Sequence, residues 1–195
     1  MLTEPYRQMK VPTPLTPSQT VGPFFTIGLS QLQNLEPLES PVSNLIAGEG
    51  NKISITGRVF DGNNEVIPDA LIEIWQANAS GDFIDPNFFG FARSHTNDDP
   101  EGRFLFDTIK PGAASEVEAP YVCATVFMRG LLTHVYTRIY FSDEKEANSI
   151  DQILNQVPKT RRKSLIAQRN DSDGKILYEF NIHMQGDDET VFFSL

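Results

Sequence analysis

The residues that could carry chemistry are few. The chain has three histidines (His95, His134 and His183), one cysteine (Cys123) and five tyrosines (Tyr6, Tyr121, Tyr136, Tyr140 and Tyr178). No two histidines stand at metal-ligand spacing. His134 and Tyr136 are two residues apart in a run with strand character, so they share a face. Such a pair could ligate iron or pack at an interface. His95 falls in a polar stretch and reads as solvated, and His183 reads as packing near a strand end. Cys123 sits among apolar residues and reads as a core thiol, since free cysteine is among the most buried residue types. A lone cysteine excludes intramolecular disulfides and cysteine-cluster metal sites. No G-x-S-x-G, glycine-rich phosphate loop or H-E-x-x-H is present. The basic residues Lys159, Arg161, Arg162 and Lys163 are set in an acidic chain and read as a solvated face or as salt bridges to a partner.

The elements that must position these residues follow from pattern. The chain has 195 residues, a net charge of −10 and a pI near 4.7. That charge disfavours nucleic acid and anionic membranes as partners. No apolar run reaches the roughly 18 residues of a membrane span. The first 23 residues carry prolines at 5, 12, 14, 17 and 23 and no apolar stretch, so they extend, do not form a signal peptide, and read as a loosely ordered leader or as an arm that lies across a partner. The expected location is cytoplasmic. Residues 24–51 read as irregular, with a helical turn near 32–35. From Lys52 the two-residue period of a strand begins at Ile53, Ile55 and Val59. Further strands are expected at 70–77, 103–109, 121–128, 132–141, 164–169, 175–183 and 190–195, with 78–102 a loop. One helix is expected at 143–155, capped by Ser142, with Ala147, Ile150, Ile153 and Leu154 as its apolar side. Many short strands between turn signals predict an all-β fold, a single-domain β-sandwich over 52–195 with one short helix and an extended N-terminal arm over 1–23, the whole of 1–195 forming one domain. The pairs Phe24-Phe25, Phe88-Phe89 and Phe192-Phe193 suggest apolar surface at an interface.

Several strings carry a resemblance. They are Thr16-Pro-Ser-Gln-Thr-Val-Gly-Pro-Phe24, Gly57-Arg-Val-Phe-Asp-Gly62, Ile67-Pro-Asp-Ala-Leu-Ile-Glu-Ile-Trp-Gln-Ala77, Asp85-Pro-Asn-Phe88 and Thr108-Ile-Lys-Pro-Gly112. In this order they resemble the intradiol ring-cleaving dioxygenases. Phe127-Met-Arg-Gly130, Tyr136-Thr-Arg-Ile-Tyr-Phe141 and Gln185–Phe193 look like the alpha chain of the family's two-chain members. In those members a beta chain of similar fold holds a non-haem ferric iron on two tyrosinates and two histidines. The resemblance places the family's H-x-H motif on Tyr121-Val122-Cys123, where both histidines are missing. The stretches 80–84 and 113–118, where ligand tyrosines are expected, contain none.

The resemblance therefore implies a chain that binds no metal and supplies no catalytic residue. Its partner would be a beta subunit carrying Fe(III), in a hetero-oligomer of several alpha–beta pairs. The implied reaction is O₂-dependent cleavage of 3,4-dihydroxybenzoate (protocatechuate) to 3-carboxy-cis,cis-muconate. The implied substrate-binding residues are Thr20, Val21, Gly22 and Pro23 on the arm, and Arg129 facing the substrate carboxylate. A non-enzymatic scaffold or assembly protein derived from the same fold is the alternative. A homomeric ring-cleaving enzyme with a relocated metal is a third reading.

Overall fold

The computed structural model describes residues 17–22, 25, 29, 43–172 and 174–194. Most of the expected arm, Pro23 and the expected helical turn near 32–35 lie outside the described residues.

Strands form where the sequence alternates. β1 (Lys52–Phe60) buries Ile53, Ile55, Gly57 and Val59 and exposes the positions between to differing degrees, as a pleated strand must. A Cβ at Gly57 would collide with the carbonyl oxygen of Phe180, so only glycine lets the chain pass so closely there. β2 (Leu71–Gln76), β3 (Phe91–His95), β4 (Arg103–Ile109), β5 (Tyr121–Phe127) and β6 (Val135–Phe141) follow. β7 (Ile166–Ser172), β8 (Lys175–Glu179) and β9 (Ile182–His183) complete the set. The spatial order is β3-β2-β5-β6-β7-β8-β1-β4, with β9 beside β1.

This path folds over on itself. β7 begins parallel to β6 at Ile166 and continues antiparallel to β8 from Gln168. The two halves then face each other across one core. Ile72, Ile74, Val122, Ala124 and Ile139 from one half share a cluster with Ile55, Val59, Phe104, Phe106 and Tyr178 from the other. A buried polar tie crosses it: Thr108 Oγ1 donates to Gln76 Oε1 at 2.8 Å, and Gln76 Nε2 donates to the Ile109 carbonyl at 2.9 Å. Both groups are satisfied, as buried polar atoms must be to avoid a desolvation cost. The open edges β3 and β4 are closed by residues 43–46, where the Arg93 and Asp107 amides donate to the carbonyls of Ser43 and Asn44. The result is an all-β sandwich, as expected.

Five local expectations are corrected. The single helix at 143–155 is two helices, α1 (Lys145–Ile150) and α2 (Gln152–Gln156). Asp151 breaks them with an extended backbone and caps α2, its carboxylate accepting from the Leu154 amide at 2.7 Å. Ser142 caps neither helix; its hydroxyl accepts from the Arg169 amide. The expected helical face fails in part, because Ile150 is exposed and Asn148 is buried, bonding the Phe141 carbonyl. Residues 91–95, expected as loop, form β3, and of the strand expected at 190–195 the described residues 190–194 contribute only a bridge between Phe193 and Tyr136. Among the described residues no helix is long and apolar enough to cross a membrane.

Candidate functional site

The outer face of β3-β2-β5-β6 carries the chemistry-bearing side chains, and the two ends of β5 differ sharply. At its start, Tyr121 lies opposite Tyr140 and Cys123 opposite Arg138. Cys123 is therefore not in the main core as expected. It is half-buried on the outer face and packs against a second cluster that contains Tyr121, Tyr140 and Leu154. The Arg138 guanidinium sits 3.9 Å from the centre of the Tyr121 ring, a cation–π geometry. Its Nη1 lies 3.5 Å from Glu118 Oε1 and from Tyr140 Oη. Tyr140 donates to Asp151 Oδ1 at 3.1 Å, and Asp151 Oδ2 accepts from the Ala119 amide at 2.9 Å. Burial pushes the Tyr121 and Tyr140 phenols and the Cys123 thiol up, although the Arg138 charge opposes this.

This donor set does not suit ferric iron. The ion prefers anionic oxygen and imidazole, whereas burial here favours the neutral phenols and thiol. A guanidinium of fixed charge already lies against Tyr121 and would repel a trivalent cation. Among the described residues no group of three or more His, Cys, Asp or Glu is placed to hold a metal.

At the far end of β5 the face is open. The amide of Gly130 donates to Thr20 Oγ1 at 2.6 Å, which fastens the arm to the turn after β5. Gly130 has φ +91°, a backbone that favours glycine. Gly22 accepts from the Phe25 amide at 3.1 Å, and the Phe25 and Phe127 rings lie 5.9 Å apart. A cleft of about 250 Å³ lies between arm and sheet, with Val21, Phe25, Phe127, Met128, Leu132 and His134 among its walls. His134 Nε2 is 2.5 Å from Tyr136 Oη, with the rings edge to face.

Arg129 stands between Met128, which lines this cleft, and Gly130, which fastens the arm. Its side chain is 51% exposed, and Nε lies 3.2 Å from Asp69 Oδ2. Thr20, Val21 and Arg129 thus come together at one end of the sheet, with Gly22 beside them; no described atom lies within 4 Å of where a Gly22 Cβ would stand. Pro23 lies outside the described residues. Sequence reasoning flagged Phe25 only as one of a pair at an interface and Phe127 only within the Phe127–Gly130 string, and it missed Asp69. Phe127 was legible as a period-two position on a strand, but its partner across the cleft was not.

Other candidates carry less. His95 is not solvated as expected: it ends β3, its side chain is 9% exposed, and it pairs with Asp98 at 3.1 Å. It lines a larger cleft of about 550 Å³ at the β3–β4 seam. The arginines there are committed, Arg93 to Glu73 and Arg103 to Asp99. His183 stacks on Phe60 at 4.8 Å. Of the phenylalanine pairs, Phe88 and Phe192 pack on the main core and Phe193 on the second cluster. Phe89 is exposed and meets the half-exposed Trp75 edge-on.

Comparison with known proteins adds to this picture. Residues 22–186 match the family model described as Dioxygenase. The chain is 43% identical over 191 residues to a protocatechuate 3,4-dioxygenase alpha chain of Burkholderia cepacia, covering 92% of this chain and 97% of that one. It is 30% identical over 198 residues to a protocatechuate 3,4-dioxygenase beta chain of the same organism, covering 91% and 78%. Among solved structures, an intradiol ring-cleavage dioxygenase from Tetranychus urticae superposes with a TM-score of 0.59 at 18% identity, covering 88% of this chain and 94% of that one.

Proposed function

The chain belongs to the intradiol dioxygenase family of oxidoreductases, and from that premise we propose that it is the alpha-type subunit of a protocatechuate 3,4-dioxygenase. The reaction is cleavage of 3,4-dihydroxybenzoate between its two hydroxyl-bearing carbons, with both atoms of O₂ entering the product, 3-carboxy-cis,cis-muconate. The ferric iron that the family implies is carried by a beta chain, and this chain closes the substrate pocket with Thr20, Val21, Gly22, Pro23 and Arg129.

One geometric observation carries this reading. Tyr121 and Phe127 are the two ends of β5, and six residue steps at about 3.3 Å each separate them by about 20 Å. Arg129 lies two residues further still. A dihydroxybenzoate is too short to reach from Arg129 to the Tyr121–Cys123 position of the same chain. That distance keeps a substrate at Arg129 away from the family's metal position in the same chain, which supports an iron supplied by another chain. The beta-chain relative, similar over most of this chain, supports a beta-type chain as that partner.

The chemistry of the arm end suits the task. The apolar walls of Val21, Phe25 and Phe127 suit an aromatic ring, and Arg129 suits its carboxylate through paired, charge-assisted hydrogen bonds. The test is reconstitution. This chain and a beta chain are expressed singly and together, and O₂ uptake is followed with protocatechuate. Full turnover is expected only from the pair. Turnover by this chain alone would overturn the proposal.

A further inference from the structure

We infer that Asp69 is a positioning residue that orients Arg129 for the substrate carboxylate; the inference rests on the reading of Arg129 given above. β2 and β5 run antiparallel with Leu71 opposite Phe127. Asp69 lies in the turn that leads into β2 and Arg129 in the turn that leaves β5, and beyond that last pair the two turns meet, with Arg129 Nε 3.2 Å from Asp69 Oδ2.

Three features make this pair a positioning device and not a surface ion pair. The first is asymmetry of exposure: the Asp69 side chain is 11% exposed and that of Arg129 51%. The carboxylate is largely buried and the guanidinium is open. The second is the point of attachment. Asp69 engages the guanidinium at Nε, and no described residue accepts a hydrogen bond from either Nη, so the fork that grips a carboxylate stays available. The third is a cost. Asp69 Oδ1 is buried and has no hydrogen-bond partner among the described residues. A residue present only for stability gains nothing from an unsatisfied carboxylate oxygen. The neighbouring backbone is held as well, since Thr20 fastens Gly130. Arginine loses much rotamer freedom when it grips an anion. Holding the stem at Asp69 removes part of that loss before substrate arrives.

The opposite effect is also physical, because the Asp69 charge repels a substrate carboxylate. The experiment decides between them. In the enzyme assembled with its beta chain, Asp69→Asn is expected to raise KM for protocatechuate about tenfold and to leave kcat within about twofold, the signature of lost ground-state orientation. KM for catechol, which lacks the carboxylate, should not follow. In the Arg129→Ala background Asp69→Asn should add nothing, because the two act as one unit. Asp69→Glu, which keeps the charge, should fall between wild type and Asp69→Asn, and it serves as the test if the asparagine variant does not assemble. An unchanged or lowered KM for protocatechuate overturns the inference, as do equal rises for the two substrates. If Arg129→Ala itself fails to separate the two substrates, the reading of Arg129 falls and this inference falls with it. If Arg129→Ala separates them and Asp69→Asn is flat, this inference alone falls.

Discussion

Replacing Arg129 by alanine in the assembled enzyme tests the substrate-binding reading most directly. On the isolated chain the Arg129 side chain is 51% exposed and its partner Asp69 11%, so the change opens no core cavity but leaves the Asp69 carboxylate without its cation. A thermal melt of the variant, compared with Arg129→Ala in the Asp69→Asn background, separates that stability cost from the loss of binding. In a closed pocket the balance differs. A hydrogen bond to a charged group in a dry site is worth about 1.5–3 kcal/mol. Asp69 shares the arginine's charge, so the lower part of that range applies, about 1.5–2 kcal/mol or roughly 10- to 30-fold. That factor should appear in KM for protocatechuate, read from initial rates of O₂ uptake, with KM for catechol nearly unchanged. If the arginine binds ground and transition states alike, kcat should hardly move. Arg129→Lys should restore only part, because a point charge cannot reproduce the planar fork. Equal losses for both substrates would show that Arg129 holds the subunits together and does not read the carboxylate.

The remaining predictions address the metal, the arm and the framework. Purified alone, the chain should carry no stoichiometric ferric iron and no visible tyrosinate-to-iron absorption band; one iron per chain with such a band would refute the reading of the Tyr121–Cys123 end. Thr20→Val removes the acceptor that holds the Gly130 amide. It should raise KM for protocatechuate by about 2- to 12-fold, the equivalent of about 0.5–1.5 kcal/mol, and speed protease cleavage before residue 20; an unchanged KM would argue against arm docking in the working enzyme. Asp151→Ala leaves the Leu154 and Ala119 amides and the Tyr140 hydroxyl without their acceptor. It should cost about 3–5 kcal/mol in urea unfolding with the slope unchanged, and a loss under about 1 kcal/mol would contradict the hub role. Burial pushes the Asp143 carboxyl up, but hydrogen bonds from Lys110 and Tyr178 outweigh it and hold the group below its ordinary value. Its contribution is therefore full above the unfolded carboxylate range near pH 4 and is lost as pH falls through the depressed folded value. Asp143→Asn should flatten that acid limb in thermal melts, and a limb of unchanged steepness would remove Asp143 as its cause.

The fold was legible where burial repeats locally. β1, β2, β4 and β5 alternate apolar residues with a period of two, and turn residues punctuate them. β3 was not legible, because its inward residues are Ala92 and Ser94, too small to write a hydrophobic pattern. It pairs all the same because Trp75 through Leu71 offer it a complete partner edge. The break between α1 and α2 was hidden for another reason. The apolar spacing of Ala147, Ile150, Ile153 and Leu154 satisfies a helix whether or not it is continuous. What ends α1 is the Asp151 carboxylate, drawn into the core by Ala119 and Tyr140. Its bond to the Leu154 amide is local, but Ala119 and Tyr140 are remote in sequence, so the burial that ends α1 leaves no local signal.

The site divides along the same line. Residue types alone could show that ligands were missing at Tyr121 and Cys123; they could not show what stands there instead. Arg138 fills the position only because β6 lies against β5 with Cys123 opposite Arg138, and that register is a property of the sheet. Asp69 and Arg129 are likewise brought together by the turns at one end of the β2–β5 pair. One strand thus places two outcomes at its two ends. At the start a fixed positive charge lies against a tyrosine ring, where a ferric ion would have to compete with it. At the finish a positive charge is tethered at its stem beside a cleft open to solvent, where an anion can reach it. An arginine is a poor neighbour for a metal and a good receptor for a carboxylate. The same residue type, buried against Tyr121 in one case and half exposed beside Thr20 in the other, therefore opposes an iron site at one end and favours an acid-binding surface at the other.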